Sequence, residues 1–367
     1  MLRKASICIV VAALCACDDD NNNVQTPPVT PPTTPPTTVT GFQRVDLVSD
    51  QPGVAPLTDA NLVNPWGLAA GPGAFWIADN GTGALGVKNG DGTPTALDNT
   101  FVLEPGITGI VVNTTREMMI TLHNATAPAT FLVASETGKV WAVNQNLDRT
   151  TGVVVVDRSS NGAIYKGLAI ADNNGTPELL VADFHNARID VFNGSFQSTS
   201  FHWATAFQDM NLPPGFAPFD VAVFDNKVYV TYAMQDANAK DDVAGPGLGI
   251  IDIYSPDGTF QSRFATGGTL NAPWGMAMAP STFGAAANLL LVGNFGDGMI
   301  NEFDPTSARF VGQLTDINNT PFAIDGLWGL AFGNGVAGDP NKLYFTAGPE
   351  DETHGLFGRI ELVTITQ

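Results

Sequence analysis

The chain contains 367 residues, of which 36 are acidic and 16 are basic, giving a formal net charge of −20 at pH 7. A surface this acidic repels nucleic acid and anionic lipid headgroups, so neither is expected as a partner. All three cysteines (Cys8, Cys15 and Cys17) precede residue 18. Disulfide bonds therefore cannot stabilise the rest of the chain, and its hydrophobic core must hold the fold by itself.

The N-terminal segment MLRKASICIVVAALCAC has the features of a secretory signal. Arg3 and Lys4 precede an apolar run that ends at Leu14, and this run is too short for a helix that spans a bilayer. The four residues Leu-Cys-Ala-Cys at 14–17 resemble the bacterial lipobox, in which the last cysteine is lipidated. We therefore predict a lipoprotein signal peptide at residues 1–16 and lipidation of Cys17. The alternative is an ordinary cleaved signal whose cysteines are incidental.

The segment that follows has a low-complexity composition. It reads DDDNNN and then PPVTPPTTPPTT, which cannot bury apolar surface and favours an extended chain. We predict that residues 17–40 form the lipidated cysteine and a disordered Pro/Thr tether. On this interpretation the protein is an exported bacterial lipoprotein, anchored to a membrane by its lipid and facing the periplasm or the cell surface.

An apolar segment with an internal glycine recurs six times along the remaining chain. The first copy is NPWGLA at residues 64–69, and the last is GLWGLAF at 326–332. The equivalent positions are 42, 58, 53, 55 and 54 residues apart: Gly67, Gly109, Gly167, Asp220, Gly275 and Gly329. Such a period indicates a repeat architecture, not two separate domains.

Two further apolar segments follow each copy, and a weaker fourth segment follows most of them. Turn dipeptides such as Asn89-Gly90 separate them. Four short antiparallel strands repeated six times predict an all-β fold, a six-bladed β-propeller, at residues 41–367. The last copy supplies only three strands, whereas a strand-like segment at residues 42–50 precedes the first copy. We predict that this N-terminal strand completes the last blade and closes the ring, so that no sheet edge is exposed.

Several segments resemble known propeller sequences. VADFHNARIDVFNG at residues 181–194 resembles an NHL-type repeat. Residues 61–358 as a whole resemble an uncharacterised family described as PEP-CTERM-associated conserved hypothetical proteins, through segments such as NLVNPWGLA, LNAPWGMAMAP, LLVGNFGDGMINEFD and LYFTAGPEDETHGLFG. The resemblance implies the propeller fold and no established activity. This sequence has no Pro-Glu-Pro sorting segment at its C-terminus, and the N-terminal lipid would replace it as the anchor.

Propeller topology sorts the polar motifs between two faces. The links from second to third strands, and those from an outer strand to the next inner strand, share one face, and acidic and amide residues are concentrated there. We call it the acidic face. In one interpretation these residues bond their own backbone in tight turns. In the other, their oxygens converge on a hard cation such as Ca²⁺, with these candidate ligands: Asn64, Asp220, Asn271 and Asp325.

Three residues of the acidic face are candidates for catalysis. His185 and His354 belong to blades three and six, which stand across the ring, so both could approach a ligand on the axis. Glu352 remains once the turn residues of AGPEDETHGLFG are accounted for. The other two histidines are expected elsewhere, because His202 falls in an outer strand and His123 in a link on the opposite face.

Three tryptophans share one position in their repeats. Trp66, Trp274 and Trp328 each directly precede the inner-strand glycine. Packing between blades is one explanation for them, and stacking on a sugar or another flat ligand at the channel mouth is the other.

Two functions fit these observations. The first is a lipid-anchored module that binds a small molecule, a glycan or an envelope protein at the channel mouth on the acidic face. The second is a metal-dependent hydrolase or lyase of the lactonase kind, with Ca²⁺ or Zn²⁺ as cofactor. The second rests on analogy between folds, and the sequence leaves open whether the protein is an enzyme.

Overall fold

The computed structural model describes residues 38–199 and 206–366. The predicted signal peptide, the lipidated Cys17, most of the predicted tether and His202 lie outside the described residues. Within them, no helix is both long enough and apolar enough to cross a membrane.

The first three blades follow two N-terminal strands, β1 (Thr38–Ser49) and β2 (Leu57–Thr58). Blade one contains β3 (Pro65–Ala70), β4 (Phe75–Asp79) and β5 (Leu85–Lys88). Blade two begins with β6 (Ile107–Val112), which is followed by an extra hairpin, β7 (Met119–Leu122) and β8 (Ala125–Pro128). It continues with β9 (Phe131–Ser135), β10 (Lys139–Val143) and β11 (Val153–Asp157). Blade three contains β12 (Tyr165–Asn173), β13 (Thr176–Asp183) and β14 (Arg188–Asn193).

The remaining blades repeat the same meander. Blade four contains β15 (Phe216–Phe224), β16 (Lys227–Met234), β17 (Gly249–Tyr254) and β18 (Phe260–Thr266). Blade five contains β19 (Pro273–Met278), β20 (Leu290–Asn294), β21 (Ile300–Phe303) and β22 (Phe310–Gln313). Blade six contains β23 (Leu327–Phe332), β24 (Leu343–Ala347) and β25 (Leu356–Thr366). Six of the seven sheets in the described residues are blades, the seventh being the β7–β8 hairpin, and they confirm the predicted all-β, six-bladed propeller.

The helical content of the described residues is confined to short turns. Two are 3₁₀ turns, at Ser159–Asn161 and Gly284–Ala286, and the third is α1 at Pro349–Glu352. In blade one, the weaker fourth segment of the repeat forms only a single bridge, between Ala84 and Val102.

Strand β1 closes the ring. It pairs antiparallel with β25 along nearly its whole length, from Thr38 opposite Thr366 to Ser49 opposite Leu356. The last sheet therefore runs β2-β1-β25-β24-β23, which confirms that the N-terminal strand completes the last blade. The strand begins at Thr38, so the last three residues of the predicted tether belong to it.

The inner-strand glycines allow neighbouring blades to approach closely at the axis. A Cβ atom at Gly67 would lie 2.5 Å from the carbonyl oxygen of Thr108 in the next blade, and one at Gly329 would lie 2.8 Å from that of Trp66. Because backbone atoms cannot yield as flexible side chains do, any larger residue there would push two blades apart. Farther out, apolar side chains of adjacent blades share cores, as Leu132 of blade two and Val181 of blade three do.

Candidate functional site

The three equivalent tryptophans close the central channel on the acidic face. The rings of Trp66 and Trp328 stack with centroids 3.6 Å apart, and Trp274 meets both edge-on. Their exposed fractions are only 3%, 1% and 4% for Trp66, Trp328 and Trp274. The structure thus confirms packing between blades, and it leaves no broad ring face exposed for stacking on a sugar.

Lys166 occupies the corresponding position in blade three. Its side chain is almost fully buried, and its Nζ lies 4.8 Å from the centroid of the Trp66 ring and 5.7 Å from that of Phe184. The same Nζ donates to Oε1 of Glu136 at 2.6 Å and lies 3.5 Å from Oδ1 of Asp241. Cation–π contacts and an ion pair therefore hold an ammonium group at the mouth of the channel.

Sequence reasoning missed Lys166, although a signal was present. In the YKGLA segment the lysine stands directly before the inner-strand glycine, where three other blades carry tryptophan. Side chains at one position of a repeat point in the same direction, so this lysine had to face the axis.

Four carboxyl groups from three other blades surround Lys166. Glu136 comes from blade two, Asp241 and Asp242 from the β16–β17 loop of blade four, and Glu352 from blade six. We call Lys166 and these four acidic residues the acidic mouth. Two of the carboxyl groups are substantially shielded from solvent, so their ionisation is perturbed.

Burial raises the pKa of Asp242 to about 6, and the attraction of Lys166 opposes this rise only in part. Its Oδ2 atom is buried and has no hydrogen-bond partner among the described residues. Burial also raises the pKa of Glu352, although Asn64 donates a hydrogen bond to it at 2.6 Å. Both groups therefore hold a proton at higher pH than an exposed carboxyl group does.

An unusual turn directs Glu352 to this position. Glu350, Asp351 and Glu352 have φ angles of 56°, 53° and 64°, the left-handed region that non-glycine residues seldom adopt. Each such residue costs about 1–2 kcal/mol. Oδ2 of Asp325 accepts a hydrogen bond from the Glu350 backbone at 2.9 Å and helps to hold the turn. The predicted ligand Asp325 thus has a positioning role in this structure.

The other predicted metal ligands are also engaged by protein groups. Oδ1 of Asn64 accepts from Nε1 of Trp328 at 3.0 Å, and Oδ1 of Asn271 accepts from the Gly245 backbone at 2.6 Å. Asp220 lies away from them, in the wall of the channel at the level of the glycines. In the parts of the chain that the structure describes, no group of three or more His, Cys, Asp or Glu residues could hold a metal ion.

The two histidines of the acidic face have separate partners. Nδ1 of His354 lies 2.7 Å from Oδ2 of Asp50, at the end of β1, and this hydrogen bond raises the pKa of His354. Nδ1 of His185 lies 3.2 Å from the carbonyl oxygen of Ala239. The structure therefore ties His354 to blade six and His185 to the β16–β17 loop, and it does not bring them to one point. His123 lies between β7 and β8, in the predicted link of blade two.

The β16–β17 loop, residues 235–248, covers Lys166 as a lid. Nε2 of Gln235 donates to the carbonyl oxygen of Phe184 at 2.5 Å. Farther along the loop, the contact between His185 and the Ala239 carbonyl oxygen holds the lid to blade three. Asp236 accepts from the backbone of Asn238 and Lys240 within the same loop. This aspartate serves a local turn, as Asp183 does with Asn186. The turn interpretation therefore holds for both residues.

The fold and the site define a six-bladed β-propeller with a plugged channel and an acidic mouth. No protein-family model matches this sequence. The chain is 32% identical over 340 residues to an uncharacterised protein of Acanthamoeba polyphaga mimivirus, covering 88% of this chain and 80% of the relative. A second uncharacterised mimivirus protein is 30% identical over 335 residues, covering 86% of this chain and 84% of that relative. The chain belongs to the same family as these proteins.

A solved structure supports the fold. A protein of unknown function from Bacteroides thetaiotaomicron superimposes with a TM-score of 0.57 at 12% identity, covering 89% of this chain and 77% of the other. At this identity the likeness concerns the fold alone.

Proposed function

We propose that this protein is a binding module whose acidic mouth takes a positively charged group. The group is an amine of a small molecule or a basic side chain of an envelope protein. The observation that carries the proposal is Lys166, an ammonium group that is buried among carboxyl groups from three other blades. The mouth already stabilises one cation, and its outer carboxyl groups face solvent: Asp241 is 55% exposed.

Electrostatics favours a cationic ligand over an anionic one. Four carboxyl groups face the buried Lys166 and the half-exposed Lys240 in the mouth, and the whole chain carries a formal charge of −20. A cation is therefore attracted from a distance, whereas an anion is repelled.

The metal-dependent hydrolase is less well supported by the arrangement of charges. Lys166 occupies the point on which the carboxyl groups converge, so these groups are not free to converge as ligands on a divalent cation. Asn64, Asn271 and Asp325 already bond protein groups. A neutral glycan at the mouth remains an alternative outcome of the binding test.

The proposal includes a lipid anchor. It is supported by the basic start, the apolar run and the Leu-Cys-Ala-Cys motif of residues 1–17. In a bacterial host, Cys17→Ser should move the protein from the membrane fraction to the soluble fraction and abolish labelling by a fatty-acid probe. Unchanged membrane association would contradict the anchor without affecting the binding proposal.

The binding proposal is tested by comparing three probes by calorimetry. Spermidine and a short lysine-rich peptide represent the two sources of ammonium groups, and a neutral disaccharide represents glycans. Asp241→Asn, at the exposed carboxyl group of the mouth, should weaken binding of the cationic probe about tenfold, the effect of one charge-assisted hydrogen bond. Asp225→Asn makes the same charge change in the exposed β15–β16 turn on the opposite face and should have little effect. Binding of the disaccharide alone, or equal effects of both variants, would overturn the proposal.

A further inference from the structure

The central channel encloses a cavity on the other side of the tryptophan plug. Its volume is about 260 Å³, and inner strands of all six blades line it. Half-buried side chains such as Val111, Ile170 and Phe224 lie toward the end that opens on the face opposite the acidic mouth. The cavity and the acidic mouth are therefore separate compartments.

The side chains that line the cavity are apolar apart from one carboxyl group, and polar backbone groups of the inner strands share its surface. Its walls are formed by residues such as Ile110, Leu168, Met276 and Leu330, and Asp220 is the one titratable residue among the described residues that line it. In the other five blades the equivalent position is glycine. The carboxyl group of Asp220 fills the space beside Gly167, where a Cβ atom would overlap it.

Local contacts engage Asp220 only in part. Its backbone N–H donates to Oγ1 of Thr231 at 2.9 Å, a contact that any residue at this position could make. The Val221 backbone hydrogen-bonds its carboxyl group, and the half-buried side chain lines the cavity. Desolvation raises the pKa of Asp220 well above its ordinary value, and a protonated carboxyl group can both donate and accept a hydrogen bond.

Trp274 closes the inner end of the cavity and is 4% exposed. Its Nε1 is buried without a hydrogen-bond partner among the described residues, as is that of Trp66, so neither indole N–H reaches the cavity surface. The cavity therefore offers one carboxyl group together with apolar side chains and inner-strand backbone, the composition of a pocket for a small organic molecule.

We propose that this cavity binds a small, uncharged, mainly apolar molecule that carries one hydroxyl or carbonyl group, held through Asp220. The volume lies just below the range of pockets for drug-sized ligands, which sets the size of the occupant. Charged molecules are disfavoured because the lining side chains, apart from Asp220, cannot replace their hydration. This site is independent of the acidic mouth.

The test uses three probes of one size with the full-length protein: cyclohexanol, cyclohexylamine and cyclohexanecarboxylate. Binding is followed by ligand-observed NMR and by the fluorescence of the tryptophans. Cyclohexanol should bind, and each charged analogue should bind at least about tenfold more weakly, since an uncompensated charge would be buried. A preference for the amine, or no binding of cyclohexanol, would overturn the proposal.

Variants of Asp220 locate the site. Asp220→Asn keeps a donor and an acceptor and should retain cyclohexanol binding. Asp220→Gly restores the residue of the other five blades and should weaken it about tenfold, the value of one hydrogen bond. Ala222→Phe, which fills the cavity and keeps the Asp220 carboxyl group, should abolish binding. Unchanged affinity in both Asp220→Gly and Ala222→Phe would place the probe elsewhere and refute the assignment.

Discussion

The ammonium nitrogen of Lys166 lies 4.8 Å from the centre of the Trp66 ring, although the two residues belong to blades three and one. Each stands directly before the inner-strand glycine of its blade. The repeat that forms the ring therefore also places the Lys166 ammonium group over the Trp66 ring. The contact joins the tryptophan plug to the acidic mouth. Removing the lysine charge therefore tests both the packing and the electrostatics of this face.

We expect Lys166→Met to destabilise the protein in a pH-dependent way. At pH 7.5 the variant leaves several carboxyl groups without their counter-charge, and the free energy of unfolding should fall by about 3 kcal/mol, the cost of breaking a buried ion pair. At pH 4.5 more of these groups are protonated, so the loss should be smaller. Chemical denaturation at both pH values measures the difference.

Lys240→Met is the matched control for Lys166→Met. Lys240 belongs to the lid, is about half exposed and pairs with Asp241, so its removal should change stability little at either pH. A loss that is equal at pH 7.5 and 4.5 for Lys166→Met would show that its role is only to fill space.

Asp242→Asn should stabilise the protein at neutral pH. The pKa of Asp242 is about 6 in the folded chain and about 3.8 when unfolded. Between these two pKa values, the unfolded chain releases a proton that the folded chain retains. The free energy of unfolding therefore falls as pH rises through this range, and it stays low at higher pH. Asparagine does not titrate, and the lost attraction to Lys166 offsets part of the gain. The variant should exceed the wild type by about 1–2 kcal/mol at pH 7.5.

The same comparison at pH 3.5 is the internal control, because both states of the wild type are then largely protonated and the difference should shrink toward zero. Thermal melts across this pH range follow the trend. A variant that is less stable than the wild type at pH 7.5 would show that the Asp242 carboxylate contributes net stabilisation.

Gly329→Ala should destabilise the ring by roughly 1–3 kcal/mol, the usual cost of overpacking. Its Cβ atom would lie 2.8 Å from the carbonyl oxygen of Trp66 and the same distance from Oγ1 of Thr346. In the outer strand β22, an alanine at Gly312 would meet only the side chain of Glu302 at 3.6 Å. Gly312→Ala should therefore be neutral or slightly stabilising in urea denaturation, and equal effects of the two changes would contradict close contact at the axis.

Metal dependence separates the two functions predicted from the sequence. Because Lys166 supplies the positive charge of the mouth, the protein purified without chelator should contain less than one equivalent of Ca²⁺ or Zn²⁺, and EDTA should leave its melting temperature unchanged. Elemental analysis and thermal melts test this. A stoichiometric metal that is lost in Asp220→Ala or Asp325→Ala would instead support the hydrolase.

Much of the fold could be predicted because it depends on a repeated local pattern. The spacing of Gly67 and its equivalents gave the number of blades, and the unpaired strand near residues 42–50 gave the closure. The same topology placed Glu352 and His354 on the acidic face. These inferences require only strand order and the direction of each link.

The contacts within the site depend on chain segments that are distant in sequence. The carboxyl group of Glu352 accepts a hydrogen bond from Asn64, which is 288 residues away in the sequence. His354 is hydrogen-bonded to Asp50 and does not point to the channel axis. The left-handed turn at residues 350–352 contains no glycine, so the sequence does not predict it. The role of Lys166 could not be predicted because the carboxyl groups that pair with it belong to other blades and lie far from it in the sequence.

The most direct test of the acidic mouth is the proton balance of cation binding. Spermidine is titrated into the protein at pH 6 by calorimetry in two buffers of different ionisation enthalpy. A bound ammonium favours the ionised forms of Asp242 and Glu352, so binding should release protons, and Asp242→Asn should release fewer. Cation binding without proton release, or an absence of cation binding at the mouth, would contradict the account.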